Sequence, residues 1–159
     1  MSKSLSRVKA ALAAHGLEAR IVETPASTRT ACEAAAAAGV EIDQIVKSIL
    51  FQGEGGGLYL FLTAGGNQVD LVKASTLAGE ALSRADAAAV RAITGFAIGG
   101  VSPVGHLTPS PLWMDRHLLE FAEIWAAAGT PNHIFAVAPD VLQRMTGAVV
   151  EAFTVSLLS

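Results

Sequence analysis

Two places, half a chain apart, carry the residues best suited to chemistry. One is Thr94 to His106, TGFAIGGVSPVGH, and the other is Val46-Lys47-Ser48. In the first, the apolar run Phe96-Ala97-Ile98 leads straight into Gly99-Gly100-Val101-Ser102-Pro103. Adjacent glycines let the backbone approach a partner that a Cβ would block. Pro103 biases Ser102 toward extended or turn geometry, and Gly105 offers a second turn. Such a segment can aim consecutive backbone N–H groups at one point, as an oxyanion or phosphate cradle does. A tight turn without a ligand is the other reading of the same glycines. Lys47 sits between Ile45-Val46 and Ile49-Leu50. A lysine there either snorkels to solvent or points into a cleft, where desolvation lowers its pKa and nearby anions oppose that.

The remaining candidates are less specific. Of the four histidines, His15, His106, His117 and His133, no pair has the i, i+4 spacing of a helical metal site. A single cysteine, Cys32, allows neither an internal disulfide nor a cysteine cluster, and in TACEAAAAAG it reads as a small helix-packing residue. His106 follows the glycine-rich loop closely enough to face a pocket. His133, after Thr130-Pro131-Asn132, either reaches a pocket or hydrogen-bonds a neighbouring loop. His15 and His117 read as surface residues at helix ends. Ser102 lacks a G-x-S-x-G elbow and an identifiable base, so a nucleophilic role has no support. Thr30 and Ser48 are candidate pocket hydroxyls, and Asp115 reads as a helix cap. The glycines at 53–57 and 65–66 lack the G-x-x-x-x-G-K-[ST] pattern, which argues against nucleoside triphosphate binding. Arg29, Lys73, Arg84 and Arg91 form either a basic rim for an RNA end or a solvated face.

Placing these residues requires many short elements. Ser4 or Ser6 is expected to cap a first helix ending near Gly16, followed by a strand over Ala19–Glu23. Thr28 or Thr30 is expected to cap an alanine-rich helix stopping at Gly39, and Asp43 a further turn over Gln44–Val46. Strands Ser48–Gln52, Leu58–Thr63 and Gln68–Val72 read as an antiparallel meander. Helices follow over Lys73–Leu82 and, capped by Asp86, over Ala87–Ile93. Beyond the loop come strand Leu112–Met114, a short helix Arg116–Phe121 and strands Ile124–Ala128 and His133–Ala138. A helix opened by Pro139 and a last strand, Val149–Val155, complete the chain. The class is α+β, with a mixed, largely antiparallel six- or seven-stranded sheet flanked by helices.

The bulk numbers agree with one folded unit over residues 1–159. Hydrophobic residues make up 52% and charged residues 16%, which argues against disorder. With 11 Lys plus Arg against 14 Asp plus Glu, the net charge is −3. That disfavours a wide basic face wrapped by DNA, and leaves room for gripping a few phosphates. The basic start MSKSLSRVKAALAAHG has a faint look of a transit peptide but reads more simply as the first helix. No apolar run approaches the roughly 18 residues that span a bilayer. A soluble, cytoplasmic protein is expected.

The segments IVKSILF, LFLTAGGNQVDLVKAS, ADAAAVRAITGFAIGGVSPVGH and LWMD resemble the YbaK family, the prolyl-tRNA-synthetase-associated or INS-like domain. The similarity runs from about Thr28 to about Leu142. In that family a lysine at the start of a V-K-S or V-K-T strand and a G-x-x-x-P loop shape the active pocket. The resemblance therefore implies a catalytic pocket built from Lys47 and Gly99, Gly100, Val101, Ser102 and Pro103, with His133 at a pocket position; Thr30, Ser48 and His106 stay pocket candidates on their own residue types and places. It implies a trans-acting aminoacyl-tRNA deacylase for mischarged tRNA, foremost tRNA for proline carrying alanine, cysteine, serine or threonine, with no cofactor and no metal. The implied partners are the tRNA acceptor end and prolyl-tRNA synthetase. Two other classes stay open: a non-catalytic RNA-end binding module of the same fold, and a small-molecule esterase. Monomer and homodimer are both compatible with the sequence.

Overall fold

Local capping chemistry fixes where the helices begin. In the computed structural model, which describes residues 2–155, the Ser2 hydroxyl accepts from the N–H groups of Ser4 and Leu5 and opens α1 (Lys3–Ala14). Ser2 therefore takes the role expected of Ser4 or Ser6. Thr30 and Glu33 form a reciprocal capping box at α2 (Ala31–Ala38). Asp70 accepts from Val72 and Lys73 N–H and opens α3 (Leu71–Ala78). Asp86 does the same for α4 (Ala87–Thr94), and Pro139 occupies the first turn of α5 (Pro139–Thr146).

The strands are β1 (Ile21–Glu23), β2 (Ile45–Gly53), β3 (Leu58–Ala64), β4 (Leu82–Arg84), β5 (Leu112–Asp115), β6 (Ile124–Ala127), β7 (His133–Val137) and β8 (Val149–Glu151). They form one sheet in the order β1-β7-β6-β2-β3-β5-β8, with β4 paired to β2. The pairings β1–β7, β2–β3, β2–β4 and β6–β7 are antiparallel, while β2–β6, β3–β5 and β5–β8 are parallel. The fold is α+β with a mixed sheet.

Three local expectations are corrected. Gln68–Val72 is not the third strand of a meander, because the Asp70 cap starts α3 there and only Val69 makes a single bridge, to Thr154. The stretch ending at Leu82 is not helical throughout: Leu82–Arg84 is β4. The turn near Asp43 covers Ile42–Gln44 and is capped by Glu41, which releases the Asp43 carboxylate for longer-range contacts.

One sheet face packs on α1, α4, α5 and the glycine-rich loop, through Leu5, Val8, Leu12, Val90, Phe96, Val101 and Leu142. The other face is covered in two pieces. Helix α2 lies over Ile45, Trp125 and Ile134, and α3 over Phe61, Leu82 and Phe153. Side chains alternate along a strand, so Lys47 shares its face with Ile45, packed under α2, and Ile49, packed under α3. The lysine therefore falls where the two covers part. Edge pairing opens at the same place: β2 meets β6 at Ile45–Val46 and β4 at Phe51–Gly53, leaving 47–50 between them. The Gly53 N–H donates to Gly57 O at 2.9 Å, in register with β2–β3 pairing. The alternation of antiparallel bonds then turns the main-chain groups of Ser48 and Leu50 toward this open edge.

Candidate functional site

The gap beside β2 is the mouth of a cavity of about 580 Å³, within the size range of small-molecule sites. Its apolar wall comes from Ala31, Ala34, Ile42, Ile45, Trp125, Ala127 and Ile134, and its polar lining includes Thr28, Arg29, Thr30, Lys47 and Ser48. Gly99 and Val101 line one side, next to Thr130 and Pro131.

Each part is held by identifiable contacts. Arg7 of α1 staples the two ends of the glycine-rich loop, donating to Gly95 O at 2.8 Å and Gly105 O at 2.7 Å. Its guanidinium also stacks 4.6 Å from the Phe96 ring centroid. Gly100 is required by close approach: a Cβ there would lie 2.9 Å from the Thr130 Cα and carbonyl carbon. The loop thus rests on the Thr130–Pro131 backbone. Its Gly100 N–H is spent inside the turn, on Ala97 O at 3.0 Å, so it is not available as an oxyanion donor. The N–H groups of Val101 and Ser102 have no protein acceptor among the described residues.

Lys47 is half-buried, and its Nζ donates to Asn67 O at 2.5 Å. Desolvation lowers its pKa, opposed by the charges of Asp43 and Asp115. No carboxylate forms a direct ion pair with it among the described residues. The ammonium is therefore oriented by a neutral carbonyl and keeps its other donors for a ligand. Among the described residues, Ser48 Oγ and Trp125 Nε1 are buried without a hydrogen-bond partner, and both residues line this cavity.

The structure brings Lys47, Ser48, Thr30, Gly99 and Val101 around one space and sends the other candidates elsewhere. Ser102 is fully buried, its Oγ accepting from Val104 N–H at 3.3 Å. Pro103 and His106 line a separate cavity of about 260 Å³ on the far side of the loop, with Ala11, His15 and Met145. There His106 Nε2 lies 2.5 Å from Ser102 O, and burial lowers its pKa. His133 does not line the cavity; its Nδ1 lies 2.7 Å from Oγ1 of Thr130, which does. Cys32 is exposed at the cavity mouth rather than packed inside the helix bundle. His117 is no free surface histidine: its Nε2 is 2.9 Å from Asp43 Oδ2 and its Nδ1 contacts Glu120. Trp125, Thr130 and Asn67 carried no sequence signal, since each reaches the site only through strand pairing or a turn.

The comparisons with known proteins decide the family. The aminoacyl-tRNA editing domain model matches residues 25–145. The chain belongs to the aminoacyl-tRNA editing domain family. A solved structure of a candidate trans-editing enzyme for prolyl-tRNA synthetase is 50% identical, superposes with a TM-score of 0.92, and covers 98% of this chain and 99% of its own. The structure of protein APE2540 is 32% identical with a TM-score of 0.85, covering 94% of this chain and 99% of its own. The Bacillus subtilis protein YwhH is 29% identical over 143 residues, 90% of this chain and 91% of its own length. The matched span of the editing domain includes the Lys47 cavity wall, the glycine-rich loop and Trp125. Among the described residues, no three His, Cys, Asp or Glu side chains are grouped to hold a metal ion, and no helix is long and apolar enough to cross a membrane.

Proposed function

We propose that this editing domain is a trans-acting deacylase that hydrolyses the ester of mischarged tRNA. The observation that carries the reading is the Lys47 ammonium, held by one neutral carbonyl at the mouth of a largely apolar cavity. A synthetase pocket discriminates a missing methylene by only about 1–3 kcal/mol, so a second hydrolytic site adds needed selectivity. The 3′-terminal ribose lies against Lys47, which grips the terminal phosphate or the amino-acid end, and the aminoacyl group enters beside Gly99 and Val101. The Val101 N–H, which has no protein acceptor among the described residues, receives the developing oxyanion. One such donor is typically worth about 10²–10³ in rate. Water oxygen bonds to the acyl carbon, the ester C–O bond breaks, and the ribose oxygen leaves with a proton. A neighbouring ribose hydroxyl assists the attack. The products are free amino acid and tRNA.

The proposed substrate is tRNA for proline bearing a wrong small amino acid such as alanine, cysteine, serine or threonine, with prolyl-tRNA synthetase as working partner. Support comes from the 50% identical relative described as a candidate trans-editing enzyme for that synthetase. The test is amino-acid release from a panel of mischarged tRNAs by wild type and Lys47→Ala. Release from one or two panel members that drops at least about 100-fold in Lys47→Ala fits the proposal. No release from any member, with tRNA-end binding intact, leaves a binding module. Equal hydrolysis of free aminoacyl esters points to a small-molecule esterase.

A further inference from the structure

The Lys47 ammonium ends a flexible four-carbon chain, and among the described residues its hydrogen-bond partner is the main-chain carbonyl of Asn67. Where that carbonyl sits decides where the positive charge sits. Asn67 closes the turn after β3, its N–H donating to Ala64 O at 2.9 Å. The turn is gripped from two directions. From one side, Asp43 Oδ1 accepts the Gly66 N–H at 2.7 Å, and a Cβ at Gly65 would lie 2.2 Å from Ile42 O. From the other side, Asp115 is 4% exposed and takes three donors. Its Oδ2 accepts Ala64 N–H at 3.1 Å and Asn67 Nδ2 at 2.9 Å, and its Oδ1 accepts His117 N–H at 3.0 Å. Only an acceptor-only group satisfies three converging N–H donors; an amide would turn its own NH₂ against one of them. A buried carboxylate is expensive as a mere cap, and this one has a second consequence for the pocket.

We propose that Asp115 and Asn67 are positioning residues for Lys47: the carboxylate locks the Ala64–Asn67 turn, and the turn's last carbonyl aims the ammonium into the cavity. Neither side chain needs to touch the substrate. The charged groups facing this arrangement are Asp43 on the turn before β2 and Asp115 at the end of β5, with His117 and Glu120 behind Asp43. The proposal rests on the deacylase reading for its catalytic consequence, while its structural half is measurable without any activity.

The experiment uses full-length protein with 13C-labelled lysine, the Lys47 Cε signal being assigned by its loss in Lys47→Ala. Asp115→Asn and Asn67→Ala are compared with wild type by pH titration of that signal and by amino-acid release from mischarged tRNA. Asn67→Ala retains the main-chain carbonyl but cuts the tie to Asp115. Expected are a changed Lys47 signal in both variants, a lower Lys47 pKa in Asp115→Asn, and a kcat/KM roughly 10- to 100-fold below wild type, the range for a displaced positioning group. If Asp115→Asn does not fold, Asn67→Ala carries the test alone. A Lys47 signal and titration identical to wild type in the folded variants overturns the proposal, whatever the activity. A wild type that releases nothing, with Lys47 still displaced in the variants, supports the positioning and sinks the deacylase reading instead.

Discussion

The glycine-rich loop separates two cavities that differ in how their polar groups are spent. Behind the loop, His106 is engaged with Ser102 O and packed edge-on against Phe96, with ring centroids 5.5 Å apart. In front of it, among the described residues, Lys47 holds a single carbonyl, while Ser48 Oγ and Trp125 Nε1 have no partner. The spare donors of the Lys47 ammonium leave the front cavity with hydrogen-bonding capacity for something else. A histidine beside a glycine loop looks like chemistry in a sequence, yet here it is part of the scaffold that supports the loop.

The contrast is most easily broken at Gly100, which joins the two sides. A Cβ at Gly100 meets backbone of Thr130 and Pro131, which has no side-chain freedom to yield. Gly100→Ala is expected to cost about 1–3 kcal/mol of stability, or roughly 2–12 °C in Tm. Amino-acid release should fall at least about tenfold as the loop leaves its seat. Gly99→Ala meets open space and faces only its positive φ of 94°, so about 1–2 kcal/mol is expected. Calorimetry of the pair settles the order, and a Gly99 variant less stable than the Gly100 one contradicts the close-approach argument.

The pH profile sharpens the front-cavity side. Burial lowers the Lys47 pKa, so the protonated form is lost at a lower pH than the ordinary lysine value of about 10.4. If the ammonium does the gripping, kcat/KM corrected for spontaneous ester hydrolysis should be retained near neutrality and fall as pH rises through that lowered value. A profile that stays flat through the ordinary lysine range would remove the charge from the mechanism.

His106→Asn probes the rear cavity. Losing the contact to Ser102 O is expected to cost about 1–2 kcal/mol, roughly 2–8 °C in Tm, with amino-acid release within about threefold of wild type. A loss of activity as deep as in Lys47→Ala, without matching destabilisation, would erase the distinction between the two sides.

The smallest effect belongs to His117, whose pKa is raised chiefly by Glu120 and further by Asp43. A raised folded-state pKa contributes stability that is fully present below the unfolded value of about 6.5 and is lost as pH rises through the folded value. His117→Gln should therefore lower Tm more at pH 6 than at pH 9. Because the pair is partly solvated, the difference should be only about 1–3 °C. An equal effect at both pH values would mean that His117 contributes by packing alone.

Much of the frame was legible in local chemistry. Thr30, Asp86, Gly39, Gly95 and Pro139 mark helix ends because capping and φ preference act within four residues. Ser48–Gln52 and Leu58–Thr63 read as strands because their β-branched and aromatic residues suit a pleated surface, although β2 begins three residues earlier, at Ile45. Gln68–Val72 was misread for the opposite reason: two strands followed by a tight reversal suggested a third, and the Asp70 carboxylate started a helix there instead. Lys47 and the glycine pair were legible as types with chemical potential, but their surroundings were not.

By itself the sequence determined the elements, the loop with its paired glycines, and a lysine set among strand-forming residues, since all of these follow from short-range sterics and hydrogen bonding. Only the tertiary structure decided that β6 and β4 part along β2 and open a cavity at Lys47. It also decided that Gly100 sits on Thr130, that Trp125 lines the far wall, and that Asp115 reaches back 48 residues to Asn67. Those relations depend on strand order and register, which arise from burying two sheet faces at once and leave no mark in any single stretch of chain.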